Sequence, residues 1–151
     1  MPSSSACTYI ARCKEEGARL VTSGETTAGS GYFGKPTMFV DVPATNTISR
    51  EGILWPVLCV HSFESEQDAV DAANDSNFGL VATLVTRGAA RGKRVADALD
   101  AGVVWINTPQ LIFPHTSWGG YKRSSFGREL GPSGLAAFHE VKQVLPVPED
   151  R

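Results

Sequence analysis

Long apolar runs are missing from these 151 residues, and so is a marked excess of charge of either sign. No uninterrupted apolar stretch approaches the roughly 18 residues that carry a helix across a bilayer, so no membrane span is expected. A total of 14 Lys and Arg against 16 Asp and Glu leaves a net charge of -2. With no basic surplus to neutralise a run of phosphates, no nucleic-acid partner is expected. Cysteine is scarce as well. Cys7, Cys13 and Cys59 form no Cys-x-x-Cys pair, and their odd number speaks for free thiols in an intracellular, reducing compartment, cytoplasmic or organellar. The opening Met1-Pro-Ser-Ser-Ser-Ala-Cys7 has neither the basic nor the apolar region of a secretory signal. His61, His115 and His139 lack metal-ligand spacing, and no glycine-rich phosphate loop of either common type is present.

What is there fits one globular domain: 42% of the residues are hydrophobic and 20% charged, enough apolar material for one compact core. Helix and strand signals alternate, the pattern of an α/β fold with a parallel sheet flanked by helices. A helix is expected over residues 9–16, closed by Gly17, then a short strand over 18–22 and a Gly-, Ser- and Thr-rich flexible loop over 23–34. A strand over 37–42 and an irregular stretch over 43–53 follow. Residues 56–63 form a nearly unbroken apolar run, as do 80–86 and 102–107, and such runs suit strands buried on both faces. Ser65 reads as the N-cap of a helix reaching Ser76, with Asp68 as its capping-box partner. A second helix over 89–100 puts Val95, Ala96 and Leu99 on one face, with Gly102 as its stop. Residues 108–134 form a long loop with Gly119-Gly120, Gly127, Gly131 and Gly134, and long loops at the ends of parallel strands are usual ligand sites. A last short helix or turn is expected within 134–143.

Single residues carry little chemistry by themselves. Cys59, between Leu58 and Val60 in a strand, reads as a packed thiol, and Cys7 and Cys13, six apart, fall on different helix faces with no activating base. Trp118 is either a packing residue or the wall of a ligand pocket, where an indole face can hold a cation.

Taken in order, five segments say more. Gly31-Tyr-Phe-Gly-Lys-Pro-Thr37, Arg50-Glu-Gly-Ile-Leu-Trp-Pro-Val57, Ala73-Asn-Asp-Ser-Asn-Phe-Gly-Leu80, Ala101-Gly-Val-Val-Trp-Ile-Asn107 and the run from Trp118-Gly-Gly-Tyr121 through Phe126-Gly-Arg-Glu-Leu-Gly131 resemble successive motifs of the aldehyde dehydrogenase family. The resemblance runs over residues 9–144, leaving 1–8 as an extension unlike the family and 145–151 as a tail. With Asn107-Thr-Pro-Gln-Leu-Ile-Phe113, the ending is most similar to betaine aldehyde and aminoaldehyde dehydrogenases.

That resemblance implies most of a dehydrogenase catalytic domain. In the family the NAD-binding domain, the nucleophilic cysteine, the oxyanion-hole asparagine and the general-base glutamate lie before the stretch that this chain matches, so no catalytic residue is expected here, and Asn107 corresponds to none of them. The family's Glu-Ile-Phe-Gly-Pro-Val motif anchors the nicotinamide ribose through its glutamate; aligned without a gap, that glutamate falls on Gly52, the phenylalanine on Leu54 and the glycine on Trp55. No cofactor is therefore expected on this chain. The substrate pocket implied by the resemblance falls on Val103, Thr108, Ile112 and Trp118, with Ile112 narrowing it. The implied role is that of a truncated protein without turnover of its own, structural or accessory in an assembly; the alternative is an enzyme fragment, or a chain completed by a partner. A protein partner or homo-oligomer is expected, since part of the covering of the three apolar strands comes, in the family, from a segment lacking here. The segment 138–147 is the expected contact, unless it forms a strand closing the domain's own sheet.

Overall fold

The computed structural model describes residues 3–25 and 33–146, with side chains from Thr8 onward. The residues divide into two compact units, Met1–Ser76 and Asn77–Arg151, rather than sharing the single core that composition suggested.

The first unit is built on helix α1 (Ser3–Glu15), strands β1 (Arg19–Thr22), β2 (Thr37–Val40) and β3 (Val57–Val60), the single turn α2 (Thr47–Arg50) and helix α3 (Glu66–Asn74). β1 runs antiparallel to β2, and β2 parallel to β3, with Phe39 opposite Cys59 and Met38 opposite Leu58. Period-two alternation then sorts the side chains. Phe39, fully buried, meets Ile10 and Cys13 of α1 together with Ala18, Val42 and Ile48, while Leu20, Ile53, Val57 and Cys59 pack against this core. Ile10 and Cys13 stand three apart, which puts them on one helix face. Helix α1 begins six residues before the expected 9–16, and α2 lies inside the stretch expected to be irregular.

Expectation and structure differ most at β3. The run 56–63 was expected to be buried on both faces, yet the strand covers four of its residues and only its Val57–Cys59 face is packed. Leu58 and Val60, on the other face with Met38 and Val40 of β2, are 53% and 41% exposed.

Two polar clamps hold the helices. Glu16 accepts from the Thr47 backbone N–H (2.7 Å) and from its hydroxyl (2.8 Å), joining the end of α1 to the start of α2. Arg50 donates to both Asp75 oxygens, at 3.0 and 2.6 Å. The Ser65 capping box is present as the sequence implies: Asp68 N–H donates to Ser65 Oγ and Ser65 N–H to the Asp68 carboxylate.

The second unit contains β4 (Phe78–Gly79), β5 (Val81–Leu84), α4 (Ala89–Ala98), β6 (Val103–Ile106), β7 (Tyr121–Lys122) and α5 (Gly131–Ala136). β5 and β6 pair in parallel around α4, a βαβ unit, whereas β4 and β7 make a small antiparallel pair that the apolar pattern did not announce. β5 and β6 likewise present no strand buried throughout; Trp105 is the one residue of the two that is fully packed. The α/β class therefore holds, with a parallel pair in each unit and antiparallel pairings beside them.

Helix α4 ends at Ala98 with Leu99 as its cap, two residues short of the expected end, and Gly102 is not its stop. Gly102 answers to a close approach instead, because a Cβ there would collide with the Gly119 carbonyl. Helix α5 starts at Gly131, earlier than the expected 134–143. No strand forms over 139–146, so the described part of the tail does not close a sheet of this chain.

Candidate functional site

The loop after β6 is where the sequence placed ligand chemistry, and it is pinned at both ends. Asn107 ends β6 in the left-handed region (φ 52°), where a short amide side chain is among the few that reach a local partner. Its Nδ2 donates to Thr86 O (2.6 Å) and its Oδ1 accepts from Thr86 N–H (2.8 Å), tying the exit of β6 to the exit of β5. Further on, Trp105 Nε1 donates to Leu111 O, and Trp118 and Glu129 exchange both backbone hydrogen bonds at 2.7 Å.

Arg128 holds the glycine turns of the loop. Its guanidinium donates to Gly120 O (3.0 Å) and Gly127 O (2.8 Å) and lies 5.6 Å from the centre of the Tyr121 ring, a cation–π distance. Ser124 Oγ accepts from Gly79 N–H, and Ser125 Oγ donates to Gly127 O. Beside these groups lies an open cavity of about 330 Å³ walled by Trp118, Ser124, Ser125, Arg128, Glu129 and Leu80. The Trp118 ring stands 5.7 Å from that of Trp105, tilted by 46°, so this residue both packs and lines a cavity.

Of the four pocket residues, Trp118 alone lines this space. Val103 opens β6 opposite Val81, Thr108 follows Asn107, and Ile112 is an exposed residue of the loop. The cofactor positions fall in the first unit. Gly52 and Leu54 are exposed in the stretch before β3, and the Trp55 indole lies against Gly34, where any Cβ would enter its ring. The motif Gly31 to Thr37 is described from Phe33 onward; its first two residues, and most of the 23–34 loop, lie outside the described residues.

The thiols are ill suited to attack. Cys13 is 1% exposed, and burial pushes its pKa up to about 11; Cys59, half-buried, is raised by the same cause. A thiolate, not a thiol, is the nucleophile. The Cys7 side chain lies outside the described residues. Among those described, no group of His, Cys, Asp and Glu could hold a metal ion, and no helix is long and apolar enough to cross a membrane.

A larger cavity, of about 910 Å³, was not anticipated; Arg87, Arg91 and Arg94 line it with Thr86 and Asn107. Part of the signal was present in the spacing of Arg91 and Arg94, three apart on α4 and so on one side of the helix, whereas Arg87 lies in the loop before it.

Comparison with known proteins gives these features their context. The family model described as "Aldehyde dehydrogenase family" matches residues 3–144. The chain is 45% identical over 144 residues to "Aminoaldehyde dehydrogenase 2, peroxisomal" of Malus domestica, covering 94% of this chain and 29% of that protein. To "Betaine aldehyde dehydrogenase, chloroplastic" of Beta vulgaris it is 41% identical over 138 residues, 90% of this chain and 28% of that one. The fold superimposes with a TM-score of 0.87 on an aldehyde dehydrogenase from Bacillus cereus, 42% identical, covering 91% of this chain and 28% of the other. With a betaine aldehyde dehydrogenase from Staphylococcus aureus solved in complex with NAD+ the TM-score is 0.85, at 35% identity over 89% of this chain and 28% of that one. The chain thus spans under a third of the length of these relatives. Matched along nearly its whole length in both sequence and backbone, the chain belongs to the aldehyde dehydrogenase family.

Proposed function

We propose that this chain carries out no aldehyde oxidation by itself and serves as a structural or accessory component of a larger assembly. The state of the thiols carries the reading: Cys13 is sealed in the core with its pKa at about 11, and Cys59 is held toward the thiol form by burial. Covalent attack on an aldehyde requires an accessible thiolate and a donor for the developing oxyanion. The amide of Asn107 is no such donor, because both its groups are committed to Thr86.

The residues present do not fit the family's cofactor either. Gly52 offers no carboxylate to a ribose, and the Trp55 indole occupies the space over Gly34. An intracellular, reducing compartment is proposed from the unpaired thiol count together with the words peroxisomal and chloroplastic in the relatives' names.

A second reading has its own observation. Trp118 still lines a cavity in the unit whose relatives oxidise aldehydes bearing an amino or betaine group, and Leu58 and Val60 offer an apolar face to a partner. In this reading a separate chain completes the active site, and Trp118, with Val103, Thr108 and Ile112, shapes the aldehyde pocket.

NADH formation decides between them. The purified chain, supplied with NAD and betaine aldehyde, aminoaldehydes or simple aliphatic aldehydes, is expected to give no rate above background. A turnover abolished by substituting Cys7, Cys13 or Cys59 overturns the proposal. A turnover that appears only when the remaining portion of a relative is added supports the second reading.

A further inference from the structure

We propose that Ser125 is a phosphorylation site for a protein kinase with an acidic substrate cleft, and that the phosphate, once attached, takes hold of Arg128. The inference goes beyond the proposed function and stands whether or not the chain oxidises aldehydes. Ser125 follows Lys122 and Arg123 by three and two places and precedes Phe126. No other serine or threonine of the sequence has a cationic residue at both of those places before it. Residues 118–128 hold Lys122, Arg123 and Arg128 and no acidic residue, in a chain whose net charge is -2, so the positive charge is local. Carboxylates in a kinase cleft attract such a segment, and charge complementarity of this kind selects the partner and speeds the encounter.

The structure presents this serine rather than its neighbour. Ser124 Oγ accepts from the Gly79 N–H at 3.0 Å, which ties it to β4, whereas Ser125 lies against the open cavity beside Trp118 with only its own loop as partner. Phe126 is fully exposed and free to enter an apolar pocket. Both stand in the loop after β7, outside any helix or strand, where a chain adapts to a cleft most readily. Arg123 is exposed, and Lys122 pairs with Asp100 at 3.2 Å, a surface ion pair that contributes little and can be exchanged for a kinase carboxylate. Ser125 Oγ donates to Gly127 O (3.1 Å), and Arg128 Nη1 donates to the same oxygen (2.8 Å), so hydroxyl and guanidinium are neighbours across one acceptor. Phosphoryl transfer forms the bond from Ser125 Oγ to the γ-phosphorus of ATP and breaks the bond from that phosphorus to the β–γ bridging oxygen. The hydroxyl proton goes to the kinase's base, and ADP leaves. The esterified oxygen no longer donates to Gly127 O, and the guanidinium exchanges the carbonyls of Gly120 and Gly127 for phosphate oxygens. Glu129 lines the same cavity and repels the phosphate, which makes Arg128 the neighbour that draws it. The modification thereby releases the clasp on the glycine turns beside Trp118.

Incubation of the full chain with magnesium ATP and the catalytic subunit of a cyclic-AMP-dependent protein kinase, followed by fragment mass spectrometry, tests the site. Phosphate is expected chiefly on Ser125, to be lost in Ser125→Ala, and to be incorporated about tenfold or more slowly in Arg123→Gln. Capture by Arg128 is read by phosphorus NMR: the phosphoserine is expected to titrate below its ordinary value of about 6 and to return to it in Arg128→Gln. Should that variant lose its circular dichroism spectrum, Arg128→Lys keeps the charge without the fork and is expected to give a midpoint between the two. A folded chain left unmodified while a peptide of residues 119–129 is phosphorylated overturns the site, because the fold then hides it. Phosphate placed mainly on Ser124 or elsewhere, or an unchanged rate in Arg123→Gln, overturns it as well. An unshifted titration overturns the role of Arg128.

Discussion

At position 52 the family motif would place a carboxylate, and this chain has a glycine with no side chain to offer. Trp55, three residues on, packs against Gly34 through a contact that no alignment could show, because 21 positions separate the two. From these two residues we expect NAD and NADP to bind with a dissociation constant weaker than about 1 mM, equivalent to roughly -4 kcal/mol. Gly52→Glu is expected not to restore binding, since one charged hydrogen bond contributes only about 1.5 to 3 kcal/mol. Calorimetry giving a micromolar constant for either protein would contradict this. Cys59 is a residue whose neighbours in sequence told its place, flanked by apolar residues in a strand and half-buried as a result. Trp118 is the opposite case. Its flanking glycines suggested either packing or a pocket wall, and only the tilted contact with Trp105 beside the cavity rim shows that it does both.

Among the elements, α1 and α2 are joined by a single carboxylate. Glu16 is held below the usual carboxylate range first by the Thr47 backbone N–H, then by the Thr47 hydroxyl, with Arg12 adding at 2.7 Å. A carboxyl whose folded pKa is depressed stabilises the fold above its ordinary value and loses that contribution as pH falls through the lowered one. The Tm is therefore expected to drop on acidification from the ordinary value, 4.5, downward. Glu16→Gln should lower the Tm at neutral pH and approach the parent protein at the acid end. Scanning calorimetry of both proteins across pH 2 to 7 checks this, and a Tm difference independent of pH would assign the clamp to packing alone. Ser65 and Asp68 show how much a local pattern can specify, since an N-cap and its partner three residues on need only their own helix to form. Glu16 and Thr47 could not be paired from the sequence, being 31 residues apart and brought together by the packing of Ile10 and Cys13 with Ile48 in the core around Phe39.

At the scale of the whole molecule, apolar surface remains in view. Leu58 and Val60 share the open face of β3 with Met38 and Val40 of β2, and in the tail Phe138, Val141, Val144 and Leu145 are each exposed. Monomeric proteins rarely leave contiguous apolar patches of more than a few hundred Å² uncovered. At about 25 cal/mol per Å², covering one such patch contributes on the order of 10 kcal/mol before the costs of association. We therefore expect the purified chain to associate, with itself or a partner, and to bind an apolar dye. Light scattering after size exclusion should show species above the mass of one chain, shifting toward the monomer in Leu58→Lys with Val60→Lys. A soluble monomer that binds no dye would remove the basis for this expectation. The sequence pointed to these strands as needing cover on both sides, because their residues are apolar without alternation. Which face stays open was decided by where α1 docks.

By itself the sequence determined the family, the α/β class and the helix start at Ser65, because each is written in residues close together: motif wording, apolar periodicity, a cap and its partner. Tertiary structure alone decided the division into two units, the seat of Trp55 on Gly34, the left-handed turn of Asn107 across to Thr86, and the gathering of Arg87, Arg91 and Arg94 around one cavity. The seat of Trp55 requires the absence of a side chain at Gly34, as the approach of Gly119 requires it at Gly102, and the meaning of either glycine appears only once the opposing atoms are in place.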